Sequence, residues 1–238
     1  MKLGFLQKAL AASREGRAAV LATNLTNGFQ TFIEATETAG DLTLDAAALQ
    51  AIRKAVTEDR NATIETADGP VFIEVFNPRL RCVIVGAVHI AQPLARMAAL
   101  TGYLVTVVDP RTAFASDARF PDVVLSTDWP DEAMEKLKPN RRTAVVTLTH
   151  DPKLDDPALS VALRSDAFYI GALGSKKTHA ARCKRLQALG FGEEELARIH
   201  GPVGLDIGAI SPAEIAVAIM AQMTQVLRAE PQSDREAA

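Results

Sequence analysis

RCVIVGAVHIAQPLARMAALTGYLVTVVDP, residues 81–110, decides how the chain is read. Arg81 to Gly86 supply a short apolar, largely β-branched run closed by a glycine, which reads as a buried strand. Gly86-Ala87-Val88-His89-Ile90-Ala91 then turns into an apolar helical stretch ending near Gly102, with His89 expected in the first helical turn. A second buried strand, Tyr103 to Val108, stops at Asp109. This is the layout of a first βαβ unit, in which a phosphate rests on the helix N-terminus and an acidic residue about 20 positions on holds a ribose. The second glycine of a dinucleotide fingerprint lets backbone approach a pyrophosphate; here Val88 fills that place and Ala91 the third. The pattern is Rossmann-like with a weak NAD signature.

Outward from that unit, strands and helices alternate. Val123–Leu125 is a short strand, Pro130–Leu137 a helix and Thr143–Leu148 a buried strand. Asp156-Pro157 is read as the opening of the next helix, because proline is favoured at the first helical position. Ala167–Ile170 is the following strand, and a long helix runs on to Leu189. Ser211-Pro212-Ala213-Glu214 forms a capping box before a last helix striped by Ile215, Ile219, Met223 and Val226. Such alternation predicts a largely parallel sheet with helices on both faces and ligands beyond the carboxyl ends of its strands.

Before residue 78 the pattern changes. A helix over residues 3–15, strands near Ala18–Ala22 and Phe29–Ala35, a helix over Asp45–Thr57 and a hairpin of Asn61–Ala67 with Val71–Phe76 make a small α+β lobe. None of its residue types compose a catalytic constellation. The expected division is thus a lobe over residues 1–77, a Rossmann-like domain over 78–228 and a polar, disordered tail over 229–238.

With 48% hydrophobic and 23% charged residues in 238, the composition is that of a soluble globular protein. A net charge of −3 argues against nucleic acid or an anionic membrane as the main partner. No apolar run reaches the roughly 18 residues of a membrane span, and the start leads into an amphipathic helix instead of a signal peptide. A cytoplasmic location is the expectation. Cys82 and Cys183 form no metal-ligand pattern, and no metal site is expected. Cys82 reads as core; Cys183, within Arg182-Cys183-Lys184-Arg185, is either an incidental helix cysteine or a thiol whose neighbouring cations favour the thiolate.

Four loops gather at the expected ligand edge. Gly86–Ala91 offers helix N-terminal amides, with Ala87 in the turn and His89 able to donate to a phosphate. Asp109-Pro110-Arg111 combines a carboxylate suited to a diol with a guanidinium suited to a phosphate. Thr149-His150-Asp151-Pro152 places a histidine beside an aspartate, a general-base pair or simply a turn. Gly171-Ala172-Leu173-Gly174-Ser175-Lys176-Lys177 is a second anion cradle that lacks the P-loop pattern. Gly201–Gly208 adds three glycines and Asp206 in an apolar loop.

Taken together, VIVGAVHIAQPL, VTVVDPRTAF with RFP, TAVVTLTHDP, DDPAL, YIGALGS and GPVGLDIGAISPAEIAVAI resemble the XdhC/CoxI family of xanthine dehydrogenase accessory proteins over about residues 80 to 228. The resemblance implies a molybdenum cofactor chaperone, not a turnover enzyme. Such a protein protects the cofactor, as molybdopterin or its cytosine dinucleotide form, while a cysteine desulfurase supplies a sulfido ligand. It then helps insert the cofactor into a molybdenum hydroxylase. It also implies a homodimer, and ligand contacts at Gly86, His89, Asp109, His150, Asp151, Gly171, Gly174, Ser175, Asp206 and Gly208. Ala87, Arg111 and Lys176 join that set from their own chemistry, and no catalytic residue is assigned. Residues 1–76 lack the GS-x-PR and GG-x-x-E stretches common in the family, Val88 replaces a frequent glycine, and Gln222 stands where glutamate is usual. The alternative is an NAD(P)-dependent oxidoreductase, with Asp109 on the ribose and His150 as acid/base.

Overall fold

A computed structural model describes residues 3–35, 37–121 and 123–229. The tail expected to be disordered falls, from residue 230 on, outside the described residues. The chain divides between Arg79 and Leu80 into two compact units.

In the first unit α1 (Leu3–Arg14) is followed by β1 (Ala19–Asn24), β2 (Gln30–Glu34), β3 (Glu37–Gly40), α2 (Ala46–Glu58), β4 (Ala62–Thr66) and β5 (Gly69–Phe76). The five strands form an antiparallel sheet in the order β3-β2-β1-β5-β4. Alternation along β1 sends Val20 and Ala22 to one face, against Ile52 and Ala55 of α2, and Ala19 to the other, against Ala9 and Ala12 of α1. Asp45 caps α2 by accepting from the Ala48 amide. The edge strand β3 carries no sequence signal: all four of its residues are exposed, so no hydrophobic alternation marks it.

The second unit holds six parallel strands: β6 (Arg81–Val85), β7 (Leu104–Val108), β8 (Val124–Ser126), β9 (Thr143–Thr147), β10 (Tyr169–Ala172) and β11 (Ile199–His200). Their order, β11-β10-β9-β6-β7-β8, is that of dinucleotide-binding folds, with the chain leaving β6 towards one edge and β9 towards the other. α3 (Ala91–Leu100) and α8 (Pro212–Arg228) cover one face, where Leu94, Ala98, Ile219 and Met223 pack on Cys82, Ile84 and Val146. α4 (Pro130–Leu137), α5 (Pro152–Leu163), α6 (Lys176–Ala188) and the short α7 (Glu193–Ala197) cover the other, where Met134, Leu159, Leu186 and Leu196 pack on Val83, Val85 and Val145. Strands buried on both faces explain why β6 and β9 read as continuous apolar runs. No described helix is long and apolar enough to cross a membrane.

Three boundaries differ from the expectation. α3 begins at Ala91, so His89 lies in the turn before the helix and not in its first turn. α5 begins at Pro152 and not at Asp156-Pro157: Asp151 caps it by accepting from the Lys153 amide, the Asp155 amide donates to the Asp151 carbonyl, and Pro157 lies inside the helix. Gly171, expected in a loop, is a buried member of β10, opposite Val146 on one side and His200 on the other.

Leu94 is fully buried between α3 and the sheet. Leu94→Ala is expected to lower the unfolding free energy of this unit by about 3 kcal/mol, read as a lower urea midpoint with the helical circular dichroism of the native state kept.

Candidate functional site

The strand order reverses between the paired neighbours β6 and β9, which leaves a crevice outside their carboxyl ends, where ligands of such sheets bind. β6 ends at Gly86, whose φ of +106° is the region only glycine adopts readily, and a Cβ there would lie 2.4 Å from Thr149 Cγ2. The turn after β6 and the turn after β9 therefore touch. Gly86 N–H donates to the Val108 carbonyl and Ala87 N–H to Asp109 Oδ2. Among the described residues the amides of Val88, His89 and Ile90 have no intramolecular acceptor.

Asp109 is fully buried. Besides Ala87 N–H it accepts from Arg111 N–H at 3.0 Å, Arg111 Nε at 2.9 Å and Arg111 Nη2 at 2.8 Å. Burial opposes its ionisation, but the hydrogen bonds from Arg111 and Ala87 outweigh it and hold the carboxyl below the usual range. The carboxylate expected to face a ribose instead fastens the β6 turn to the β7 turn, and the half-exposed Arg111 guanidinium is what reaches the surface.

His150 is exposed, in a left-handed backbone conformation with φ +63°. Asp151 is turned into its helix as the α5 cap, so the adjacent pair does not act as one unit. The residue that organises this loop is Asp155, one turn into α5. Its Oδ1 accepts from Thr149 Oγ1 at 2.6 Å, and its Oδ2 lies 3.6 Å from Arg182 Nη2. Arg182, on α6, has 1% side-chain exposure and donates through Nη2 to the Leu173 carbonyl at 2.7 Å. Gly86, Thr149, Asp155, Arg182 and Leu173 thus form one chain of contacts through the turns after β6, β9 and β10. Burial raises the Asp155 carboxyl and lowers the Arg182 guanidinium from their ordinary values.

The turn after β10 is shaped in the same way, by polar groups that face the protein. Ser175 caps α6, accepting from the Thr178 amide at 3.1 Å, while Lys176 and Lys177 in the first turn are exposed. Gly174 adopts φ +144° with Thr178 packed 3.0 Å from where its Cβ would be. A Cβ on Gly171 would meet Val203 at 2.5 Å and the Tyr169 ring at 2.8 Å, which brings the Gly201–Gly208 loop against β10. Gln222 Oε1 on α8 fixes that loop by accepting from Tyr169 Oη at 2.6 Å and Gly204 N–H at 2.8 Å. Tyr169 also stacks on His200, with ring centroids 4.8 Å apart. Asp206 is exposed and Gly208 has φ +74°; among the described residues neither is hydrogen-bonded to the other turns. Cys183 is half-buried, its Sγ 3.5 Å from His179 Nε2.

Thr149, Asp155, Arg182 and Gln222 set the shape of these turns, and none of them belongs to the ligand set expected from the sequence. Asp155 and Arg182 sit among other charged residues and look like solvated helix faces. Thr149 carries one usable signal, a hydroxyl directly after a buried strand and before a capping aspartate. Among the described residues there is no cluster of three or more His, Cys, Asp or Glu side chains able to hold a metal ion.

The profile described as the XdhC Rossmann domain matches residues 82–223, more than half of the chain. A Bacillus subtilis (strain 168) protein named as a probable subunit of xanthine dehydrogenase is 35% identical over 65% of this chain and 45% of its own length. The "Molybdenum cofactor insertion chaperone PaoD" of Escherichia coli (strain K12) is 34% identical over 63% of this chain and 41% of its own length. These alignments thus span less than half of either curated relative. A crystal structure described as a xanthine dehydrogenase from Bacillus halodurans superposes with a TM-score of 0.73 at 26% identity, over 97% of this chain and 66% of that one.

Breaking a buried ion pair on one side leaves an uncompensated charge. Arg182→Met is expected to destabilise the second unit by roughly 3–5 kcal/mol, and adding Asp155→Asn to recover about 1 kcal/mol or more, in urea denaturation. Equal losses in the single and double variants would contradict the coupling. Burial lowers both His200 and His179, with the Arg182 charge adding at His179. The unfolded chain then takes up protons near pH 6.5 that the folded chain refuses, so stability falls as pH drops through about 6.5. A lower urea midpoint at pH 5.5 than at 7.5, with part of the slope removed in His200→Phe, is the expected result.

Proposed function

The chain belongs to the XdhC family through its Rossmann domain, and on that premise we propose that it is a molybdenum-cofactor-binding accessory protein. In this reading it holds the cofactor, covers it during sulfuration by a cysteine desulfurase, and delivers it to a molybdenum hydroxylase of the xanthine dehydrogenase or CO dehydrogenase type. It acts in the cytoplasm, as a homodimer, and turns over no substrate of its own.

The observation that carries this reading is the division of polar groups at the open edge of the sheet. Asp109 is buried and Asp151 is engaged as the cap of α5, while His89, Arg111, His150 and Lys176 are at the surface. With the unpartnered amides of Val88 to Ile90, the edge offers donors and cations, which fits a ligand carrying phosphate. Gly86 and Ala87 shape the first turn, Gly171 and Gly174 make room for Tyr169, Val203 and Thr178 behind the edge, and the exposed Gly208 leaves open space beside it. Ser175 sets the start of α6 and leaves Lys176 exposed as a further cation, and Asp206 would be the exposed acceptor for a polar ring edge. When bound, the cofactor supplies the redox chemistry of its metal to the client enzyme; the residues of this chain bind, orient and cover it.

The names of two relatives, one a molybdenum cofactor insertion chaperone and the other a probable subunit of xanthine dehydrogenase, support the same reading. The dinucleotide oxidoreductase alternative is weakened by two residues: Val88 replaces the glycine of the pyrophosphate turn, and Asp109 has its oxygens engaged by Ala87 and Arg111.

Protein purified without oxygen from a host that makes molybdenum cofactor is expected to retain a pterin, identified by mass and by the fluorescence of its oxidised form. No retained pterin, together with no effect on activation of a client hydroxylase, would overturn the proposal; bound NAD(P) in its place would restore the alternative.

A further inference from the structure

The end of β7 is where a Rossmann-type fold meets a ribose through an acidic side chain. Here that side chain cannot do so. Asp109 has no exposed surface, and both of its oxygens accept hydrogen bonds, Oδ1 from Arg111 N–H and Nε, Oδ2 from Ala87 N–H and Arg111 Nη2. A neutral diol arriving at this point finds no free acceptor. It finds the Arg111 guanidinium, 41% exposed and held rigid by the fork onto Asp109, with Nη1 making no hydrogen bond among the described residues. The carboxylate orients the cation, as an arginine clamp for a planar or tetrahedral anion requires.

The guanidinium lies over one exposed aromatic ring. The Phe114 ring, 43% exposed, has the Arg111 guanidinium carbon 4.7 Å from its centroid and that of Arg119 at 5.9 Å. Arg119 Nη1 also donates to the Phe114 carbonyl at 2.7 Å, which ties the segment to itself. A guanidinium stacked over an aromatic ring that stays 43% exposed forms a subsite for a phosphate borne on or near a planar ring.

From this geometry we infer that the turn after β7 is a phosphate-monoester subsite, in which Arg111 takes the anion, Phe114 takes the adjoining ring, and Asp109 acts only as the internal anchor of Arg111. The inference rests on the cofactor-binding reading above for the identity of the natural ligand, and it sharpens that reading by assigning the ligand's phosphate to Arg111 in preference to any diol.

Phenyl phosphate, a ring with one phosphate, is the probe, and methyl riboside the neutral diol control, both titrated against the full chain and followed by proton saturation-transfer NMR. Arg111→Gln alone would leave the buried Asp109 charge uncompensated, so it is paired with Asp109→Asn, and the native fold of the double variant is checked by circular dichroism. The parent is expected to bind phenyl phosphate about tenfold more tightly than the double variant, with Phe114→Ala intermediate and no saturable binding of the riboside. Equal affinity in parent and double variant, no phosphate binding in the parent, or saturable riboside binding would overturn the inference. The two readings fail separately. Arg111-dependent phosphate binding by a protein that retains no pterin keeps the subsite and removes the cofactor; a retained pterin with phosphate binding indifferent to Arg111 does the reverse.

Discussion

Thr149 stands where a side chain on Gly86 would be. That contact, 2.4 Å from the position of an added Cβ, joins the turns after β6 and β9, the neighbouring strands at which the strand order reverses. Thr149 is in turn held by Asp155, Asp155 lies against Arg182, and Arg182 holds the Leu173 carbonyl in the turn after β10. Three turns from distant parts of the chain are thereby set by one buried acid and one buried base. Burial makes such a pair costly to break and only weakly stabilising to keep. Its use here is positional, since each partner also grips a turn that borders the open edge.

The polar residues of this edge divide into builders and presenters. Asp109, Asp151, Asp155 and Ser175 are engaged by amides, hydroxyls or arginines of the protein itself. His89, Arg111, His150 and Lys176 are exposed. A chain with net charge −3 thus presents His89, Arg111, His150 and Lys176 at this edge because Asp109 and Asp155 are buried in the structure, while Asp206 stays exposed. Desolvation alone would raise the carboxyl of Asp109; the arginine and amide that surround it reverse the sign and keep it charged. A fixed carboxylate behind a surface arginine holds the guanidinium in place before a ligand arrives, which lowers the entropy lost on binding.

Much of the fold is legible in the sequence. Runs such as Cys82–Val85 and Ala144–Val146 are apolar without alternation because parallel strands are covered on both faces. What fails to show are choices made by tertiary packing. Asp151-Pro152 and Asp156-Pro157 carry the same helix-start chemistry, and only the burial of Leu154 and Asp155 places the start at the earlier pair. Gly171 reads as a turn residue, yet it pairs with Val146 and His200 in the sheet, and it is glycine there because Tyr169 and Val203 occupy the space a side chain would need. Arg182 belongs to a run of cations that looks solvated, although it is almost fully buried. Asp109 is visible as an acid at a strand end, but the direction of its carboxylate depends on Arg111 folding back over it. The short β11 and α7, two and five residues long, carry too little periodicity to be seen.

The most direct test of the central claim is hydrogen exchange of the full chain with and without molybdopterin under anaerobic conditions. Slower exchange on binding is expected in the segments 86–91, 109–114, 149–151, 171–176 and 201–208, with the antiparallel sheet of the first unit unchanged. Protection confined to the first unit, or spread without reference to these turns, would contradict it.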